Sequence, residues 1–416
     1  MAKKIYVYAD WLDVPHTVKV GTLTADFVRG DEVFSFSYDS AWLQSGFAQT
    51  LDPDLQLFTG PQYLNNGKPN FGMFLDSSPD RWGRVLMRRR EAILARQEER
   101  RPSTLLESDF LIGVHDDTRM GGLRFKTDEE GDFQNHSAEL AAPPWVTLRD
   151  LEYASLHLEN ENMSALEELK WLNMLMAPGS SLGGARPKAS VIDPTGKLWI
   201  AKFPSINDEH NIGAWEMVAH ELALSAGINM SSAQVQLFSG RHHTFLTSRF
   251  DRVGDERIHF ASAMTLLGHR DGMDHHDGLS YLDMVAFITQ NGQNVNDNLR
   301  QLWTRMVFNI LVKNTDDHLR NHGFLLQGGG WELSPAYDIN PNPRGNGLTL
   351  NVSENDNSLD PELALLVAKH FRLNAADAKA ILAHIRSAIA PWSTIASKYG
   401  LSRREQEIMA PAFQMN

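Results

Sequence analysis

Cysteine is absent from all 416 residues, which excludes disulfide staples, cysteine-ligated zinc and thiolate nucleophiles and suits a reducing compartment. No run of 18 uncharged apolar residues occurs, and the opening MAKKIYVYADW carries no apolar leader segment. The expectation is a soluble, cytoplasmic chain with no membrane association. Positive charge is also short. Lys and Arg number 39 against 52 Asp and Glu, a formal net charge of −13, and this argues against unaided nonspecific binding to nucleic acid, which needs clustered cations. No internal repeat or low-complexity tract is found. What remains is a globular composition, 42% hydrophobic and 22% charged, with length for two or three domains.

Positions 1–110 read as strands and then a helix. IYVYA, HTVKVGTL and VFSFSY alternate or run in β-branched and aromatic residues, with a turn at Gly30-Asp31, and predict a three-strand meander. SPDRWGRVLMRRREAILARQEE predicts a helix with Ser78 as N-cap and Pro79 at its first position. Arginines crowd positions 81–101, but interleaved Glu91, Glu98 and Glu99 favour a salt-bridged face over a phosphate-contacting one. Gly121 to Pro144 reads as a surface connection. Positions 111–255 form the second expected domain: a Gly-rich loop, the strand LWIAKFP, the helix AWEMVAHELALSAG and a hairpin around Ser239-Gly240. That order is the order of a kinase small lobe. Positions 256–416 are expected to be mainly helical, with one hairpin at Gly328-Gly329-Gly330 and a Ser402 to Glu405 capping box near the end.

Chemistry concentrates in VKNTDDHLRNHGFLL and SPAYDIN. In LRQLWTRMVFNILVK, Leu299, Leu302, Trp303, Met306, Val307 and Ile310 recur at three and four residues, so a core-facing helix delivers the chain to Asp316. Asn321 follows Asp316 at the spacing of a kinase catalytic loop, and Asp338 follows across the glycine hairpin. A base for an attacking hydroxyl and two hard oxygen ligands for Mg²⁺ are what phosphoryl transfer requires. Lys202 is the candidate lysine for ATP phosphates, with Glu216 as its partner on the next helix. Gly183, Gly184 and Ala185, in SSLGGARPK, form a candidate phosphate loop, although no Walker A sequence is present. Arg249 and Phe250 stand where an adenine hinge would run. His318 is placed among the nucleotide-contacting residues, although an imidazole in such a loop more commonly serves to hold it. Upstream, His269-Arg270-Asp271 spells a kinase tripeptide, but position 276 is His rather than Asn. A His/Asp metal centre there, serving a hydrolase, is the competing reading.

Taken jointly, FGMFL, SPDRWGR, GGLRF, SSLGGARPKA, AKFP, SRFDR, NTDDHLRNHGFLL and SPAYDIN resemble the HipA family, the kinase toxins of bacterial HipBA-type toxin–antitoxin pairs. The resemblance spans nearly the whole chain. It implies an α+β, two-lobed protein-kinase-like fold with a β-rich N-terminal subdomain and a mainly helical C-terminal lobe. It further implies Asp316 as catalytic base, Asn321 and Asp338 as Mg²⁺ ligands, Lys202 as ATP lysine, and Ser181, with Ser180 beside it, as the autophosphorylated serine. The implied substrate is a protein of the translation machinery such as an aminoacyl-tRNA synthetase. The implied partner is a helix-turn-helix antitoxin, through which DNA is met indirectly. Two departures stand out: Arg186-Pro187 replaces the usual residues before Lys188, and Asp317 stands where Gly is frequent, an expected extra negative charge near the triphosphate. A catalytically silent pseudokinase acting as co-repressor is the alternative.

Overall fold

The computed structural model describes residues 2–64, 67–135, 142–159, 165–176, 184, 186–238 and 240–413. The chain divides into two units, one of Met1–Ile206, Asp251–Ala261 and Gln327–Gly329, the other of Asn207–Phe250, Ser262–Leu326 and Gly330–Asn416.

In the first unit, alternation builds an antiparallel sheet. β1 (Lys3–Ala9), β2 (Val18–Val28) and β3 (Asp31–Tyr38) form the expected meander. Ile5, Val7, Leu23, Phe34 and Phe36 are buried along one face, as a period of two dictates. Arg29 and Gly30 join β2 to β3, both at positive φ, the conformation in which a two-residue turn matches the twist of its strands. β4 (Pro61–Tyr63) adds to β3, and β5 (Leu123–Lys126) adds to β1. β5 corrects the reading of Gly121 to Pro144 as a surface connection. LRFK is too short to show its alternation, and its strand partner lies at the far N-terminal end of the sequence. Just before it, Arg119 is wholly buried and donates to the carbonyls of Ser77, Leu111 and Val114.

The helix Arg81–Gln97 is capped by Asp80, whose Oδ1 accepts from Gly83 N at 2.8 Å. Ser78 is not the cap, because its hydroxyl donates back to Phe74 O. Several arginines of this face are paired, largely by residues beyond the helix: Arg84 pairs with Glu107, Arg90 Nε donates to Asn173 Oδ1, and Arg100 pairs with Glu91. The same unit holds a hairpin of β6 (Lys188–Ile192) and β7 (Leu198–Lys202). Asp193 organises its turn by accepting from Thr195 Oγ1, Thr195 N, Lys197 N and Trp199 Nε1. These bonds, the Thr195 hydroxyl first, hold its carboxyl down at about 2. The late segment Asp251–Ala261 completes this unit: Arg257 Nη2 donates to Asp116 O, and His259 stacks on Trp11 at 4.7 Å.

The second unit is mainly helical. Its centre is the helix Val295–Leu311, on which all six residues of the predicted stripe are fully buried. Around it lie the helices Ile212–Ser225, Tyr281–Asn291, Pro361–Val367 and Ala375–Ile389. It also holds the hairpin of β8 (Ala233–Gln236) and β9 (Thr244–Ser248). Gly323–Gln327 and Gly330–Leu333 form the expected glycine hairpin, turning at Gly328 and Gly329 with positive φ. The Ser402 to Glu405 capping box is present.

Candidate active site

The helix Val295–Leu311 ends by turning its chain sharply. Lys313 takes φ +49°, Lys313 N donates to Ile310 O and Asn314 N to Asn309 O, a Schellman closure that satisfies the last carbonyls. The chain then leaves as an irregular loop through positions 314–322, and side chains hold it. Asn314 Nδ2 donates to Asn309 Oδ1 at 3.1 Å, Thr349 Oγ1 donates to Thr315 O at 2.8 Å, and Asn342 Nδ2 donates to Thr315 Oγ1 at 2.9 Å.

Asp316 sits at the exposed tip, its side chain 80% accessible, with His318 Nε2 at 3.7 Å. Asn321 closes the loop from below: its Nδ2 donates to Asp316 O at 2.6 Å, which turns the amide oxygen away from that carbonyl. Asp338 adopts φ +55°, and residues on both sides of it are tied to the same loop. Tyr337 OH donates to Arg320 O at 2.7 Å and Asn340 N to Asn314 Oδ1 at 3.2 Å. Asn314, Asp317, Asn321, Tyr337 and Ile339 line a cavity of about 10 Å³, room for a single water. Phe250 stacks on Tyr337 at 5.7 Å. The second unit thus brings Asp316, Asn321 and Asp338 onto hydrogen-bonded loops. It also holds Glu216 and Arg249, both buried. Lys202 is buried at the end of β7 in the first unit. Gly184 is exposed. Ser180, Ser181, Gly183 and Ala185 lie outside the described residues.

Asp317 corrects an expectation. It is no extra charge beside a triphosphate, because it is fully buried beneath the loop, accepting from Tyr281 OH at 2.8 Å and Thr349 N at 2.6 Å. Tyr281 OH in turn accepts from Asn309 Nδ2 at 3.0 Å. Desolvation pushes the Asp317 carboxyl up to about 7, against the pull of Tyr281 OH and Thr349 N. Beside it His322 Nε2 lies 3.2 Å from Asp317 O, and burial presses that imidazole down to about 3. The sign for stability follows. The folded chain keeps the Asp317 proton up to about pH 7, whereas an unfolded aspartate releases it near 4. Stability therefore falls as pH rises through that window, by roughly 4 kcal/mol at most, and levels above it. Denaturant melts of Asp317→Asn between pH 5 and 8 should lack this contribution; identical slopes in wild type and variant would refute the assignment.

The His269 to Asp277 region braces the loop: Asp271 Oδ2 accepts from Arg320 at 3.1 Å and His275 N donates to Thr349 O at 2.8 Å. Asp274, His275 and His276 bring donor atoms within 4.8 Å of one another. The two imidazoles are tilted by 37° with centroids 3.9 Å apart.

Residues 180–392, just over half of the chain, match the family of HipA-like C-terminal domains. The chain belongs to that family. A serine/threonine-protein kinase toxin HipA of Shewanella oneidensis is 25% identical over 190 residues, which is 39% of this chain and 43% of that protein. A putative kinase of Haemophilus influenzae is 24% identical over 184 residues, which is 39% of this chain and 52% of that protein. The chain thus aligns with about half the length of these curated relatives. The solved complex of HipA, HipB and operator DNA from Shewanella oneidensis MR-1 holds a chain that matches with a TM-score of 0.66 at 18% identity, covering 98% of this chain and 94% of that one. The HipA fold therefore extends beyond the family-matched region, and the α+β architecture expected from the sequence is present.

Sequence reasoning named the residues at the loop tips and missed those that hold them. Tyr281, Asn309 and Thr349 carry no motif, and Asn314 lies in the quoted loop segment without a role assigned to it. The only available signal was polar residues, Asn309 and Asn314, at the end of an otherwise apolar helix, where buried amides need partners.

Proposed function

We propose that this HipA-family chain is an ATP- and Mg²⁺-dependent serine/threonine kinase of the toxin type. One observation supports this most: the bond from Asn321 Nδ2 to Asp316 O, together with the ties on both sides of Asp338, holds a carboxylate and two hard oxygen donors on one assembly.

The donors fit magnesium. The orientation of Asn321 presents an amide oxygen, Asp338 supplies a carboxylate, and Asn340 Oδ1, two positions on, is a buried oxygen with no hydrogen-bond partner among the described residues; no soft ligand is among them. Bound there, the ion would offset charge on phosphate oxygens. The protein's own work is positional. Asp316, exposed and held through its backbone, orients the substrate hydroxyl and accepts its proton. Lys202, with Glu216 as its proposed counterion, binds the nucleotide phosphates, the loop at Gly183, Gly184 and Ala185 offers backbone N–H groups, and Arg249 and Phe250 border the adenine. His318, whose Nε2 lies 3.7 Å from Asp316, steadies the nucleotide side of the loop.

The substrate is a protein, with an aminoacyl-tRNA synthetase as the first candidate. A helix-turn-helix antitoxin is the partner, contact with DNA runs through it, and the compartment is the cytoplasm. No helix among the described residues is long and apolar enough to cross a membrane. The kinase also modifies its own loop at Ser181 or Ser180, where a dianion would repel ATP phosphates. Phosphopeptide mapping after incubation with Mg²⁺ and ATP should find phosphate on one of these serines in wild type and none in Asp316→Asn. An unmodified loop beside a phosphorylated protein substrate would remove self-inhibition and leave the kinase standing.

A further inference from the structure

The β6–β7 hairpin sets two lysines opposite each other. Lys188 and Lys202 are register partners, so both side chains leave the same face of the hairpin. Because Phe203 N donates to Pro187 O, theirs is the closer, non-hydrogen-bonded kind of pair. Both residues are buried, at 2% and 9% exposure. Like charges in that position repel, and each ammonium needs acceptors once it leaves water.

For Lys188 the acceptors come from two places. Asp80 Oδ2 stands 2.6 Å away, with both side chains 3% exposed, and Gly184 O stands 3.0 Å away. The other oxygen of the same carboxylate caps the helix Arg81–Gln97 through Gly83 N. One aspartate thus links a helix start in the N-terminal segment to the distant strand β6. A buried ion pair does little for net stability, since desolvation offsets its attraction; what it supplies is a fixed geometry. Here the fixed element is Gly184, at the root of the Gly-rich loop.

We propose that Asp80 is a positioning residue of the nucleotide site: by holding Lys188 it pins the Gly-rich loop at Gly184, across the hairpin from Lys202. The inference rests on the reading of that loop and of Lys202 as nucleotide-binding. It gives the SPDRWGR segment, which carries no nucleotide chemistry of its own, a part in ATP affinity.

Asp80→Asn separates the two jobs of this side chain, because asparagine caps a helix as well as aspartate does but brings no charge to Lys188. The expected result is an ATP KM, and a Kd for a fluorescent ATP analogue with Mg²⁺, raised about tenfold with kcat within about twofold of wild type. The double variant Asp80→Asn/Lys188→Met removes both buried charges; its Tm should return to the wild-type value while nucleotide affinity stays weak, because Gly184 O has lost its donor. Wild-type affinity in Asp80→Asn, or affinity that recovers along with Tm in the double variant, overturns the proposal. A wild type that binds no nucleotide overturns it together with the kinase reading, so the two failures are distinguishable.

Discussion

Asp316→Asn should lower γ-phosphate transfer by a factor of about 10²–10⁴, the range for loss of a general base, while ATP affinity and Tm stay at wild-type values. The asymmetry comes from the geometry. The Asp316 side chain is 80% exposed, and His318 beside it lies beyond hydrogen-bond reach. What ties Asp316 into the loop is its carbonyl, which accepts from Asn321 Nδ2, and an asparagine keeps that carbonyl. The change should therefore cost less than about 0.5 kcal/mol of stability, the usual range for an exposed site. Phosphate incorporation with labelled ATP, nucleotide binding and a thermal melt on the same preparations check all three. Equal incorporation in wild type and variant would end the kinase reading in favour of a silent binding protein.

Asp338→Gly should abolish transfer and yet leave the fold close to wild-type stability. An aspartate at φ +55° is held in a region that costs a side-chain-bearing residue of order 1 kcal/mol and glycine almost nothing. Relief of that cost is offset by the greater freedom of an unfolded glycine and by loss of the interactions of the Asp338 carboxylate, so the expected Tm lies within about 2 °C of wild type. The carboxylate proposed to hold magnesium is gone, so the rise in Tm on adding MgCl₂ with an ATP analogue should disappear as well. A variant that melts well below wild type would show that the conformation is fixed by the side chain rather than imposed on it. A variant that keeps its magnesium-dependent shift would move the metal elsewhere. Strain at a position whose side chain is needed for chemistry is a familiar trade of stability for function.

The sequence was most legible where the pattern is local. Six apolar residues at helical spacing along Val295–Leu311 are all fully buried, and three glycines between apolar runs make the hairpin they suggest. Spacing also indicated that Asp316 and Asn321 share a loop. It did not reveal that an amide-to-carbonyl bond joins them. Legibility failed wherever a partner is distant in sequence. Asp317 looked like a charge facing nucleotide because its hydrogen-bond donors, Tyr281 and Thr349, belong to other segments of the chain. β5 looked like a loop because its alternation means something only beside β1. The cap at Asp80 was misplaced for a different reason: Ser-Pro-Asp offers two capping side chains, and only the fold shows that Ser78 is already committed to Phe74 O.

The first unit is discontinuous in the chain, and this bears on how the protein is made. Its sheet is encoded at the beginning, but Arg257, which donates to Asp116 O, and His259, which covers Trp11, are translated only after the β8–β9 hairpin of the second unit. A nascent chain emerging from the ribosome therefore has all five strands of its N-terminal sheet early, but Asp116 and Trp11 wait for these late partners until part of the second unit has appeared. Contacts so distant in sequence favour slow consolidation of this unit.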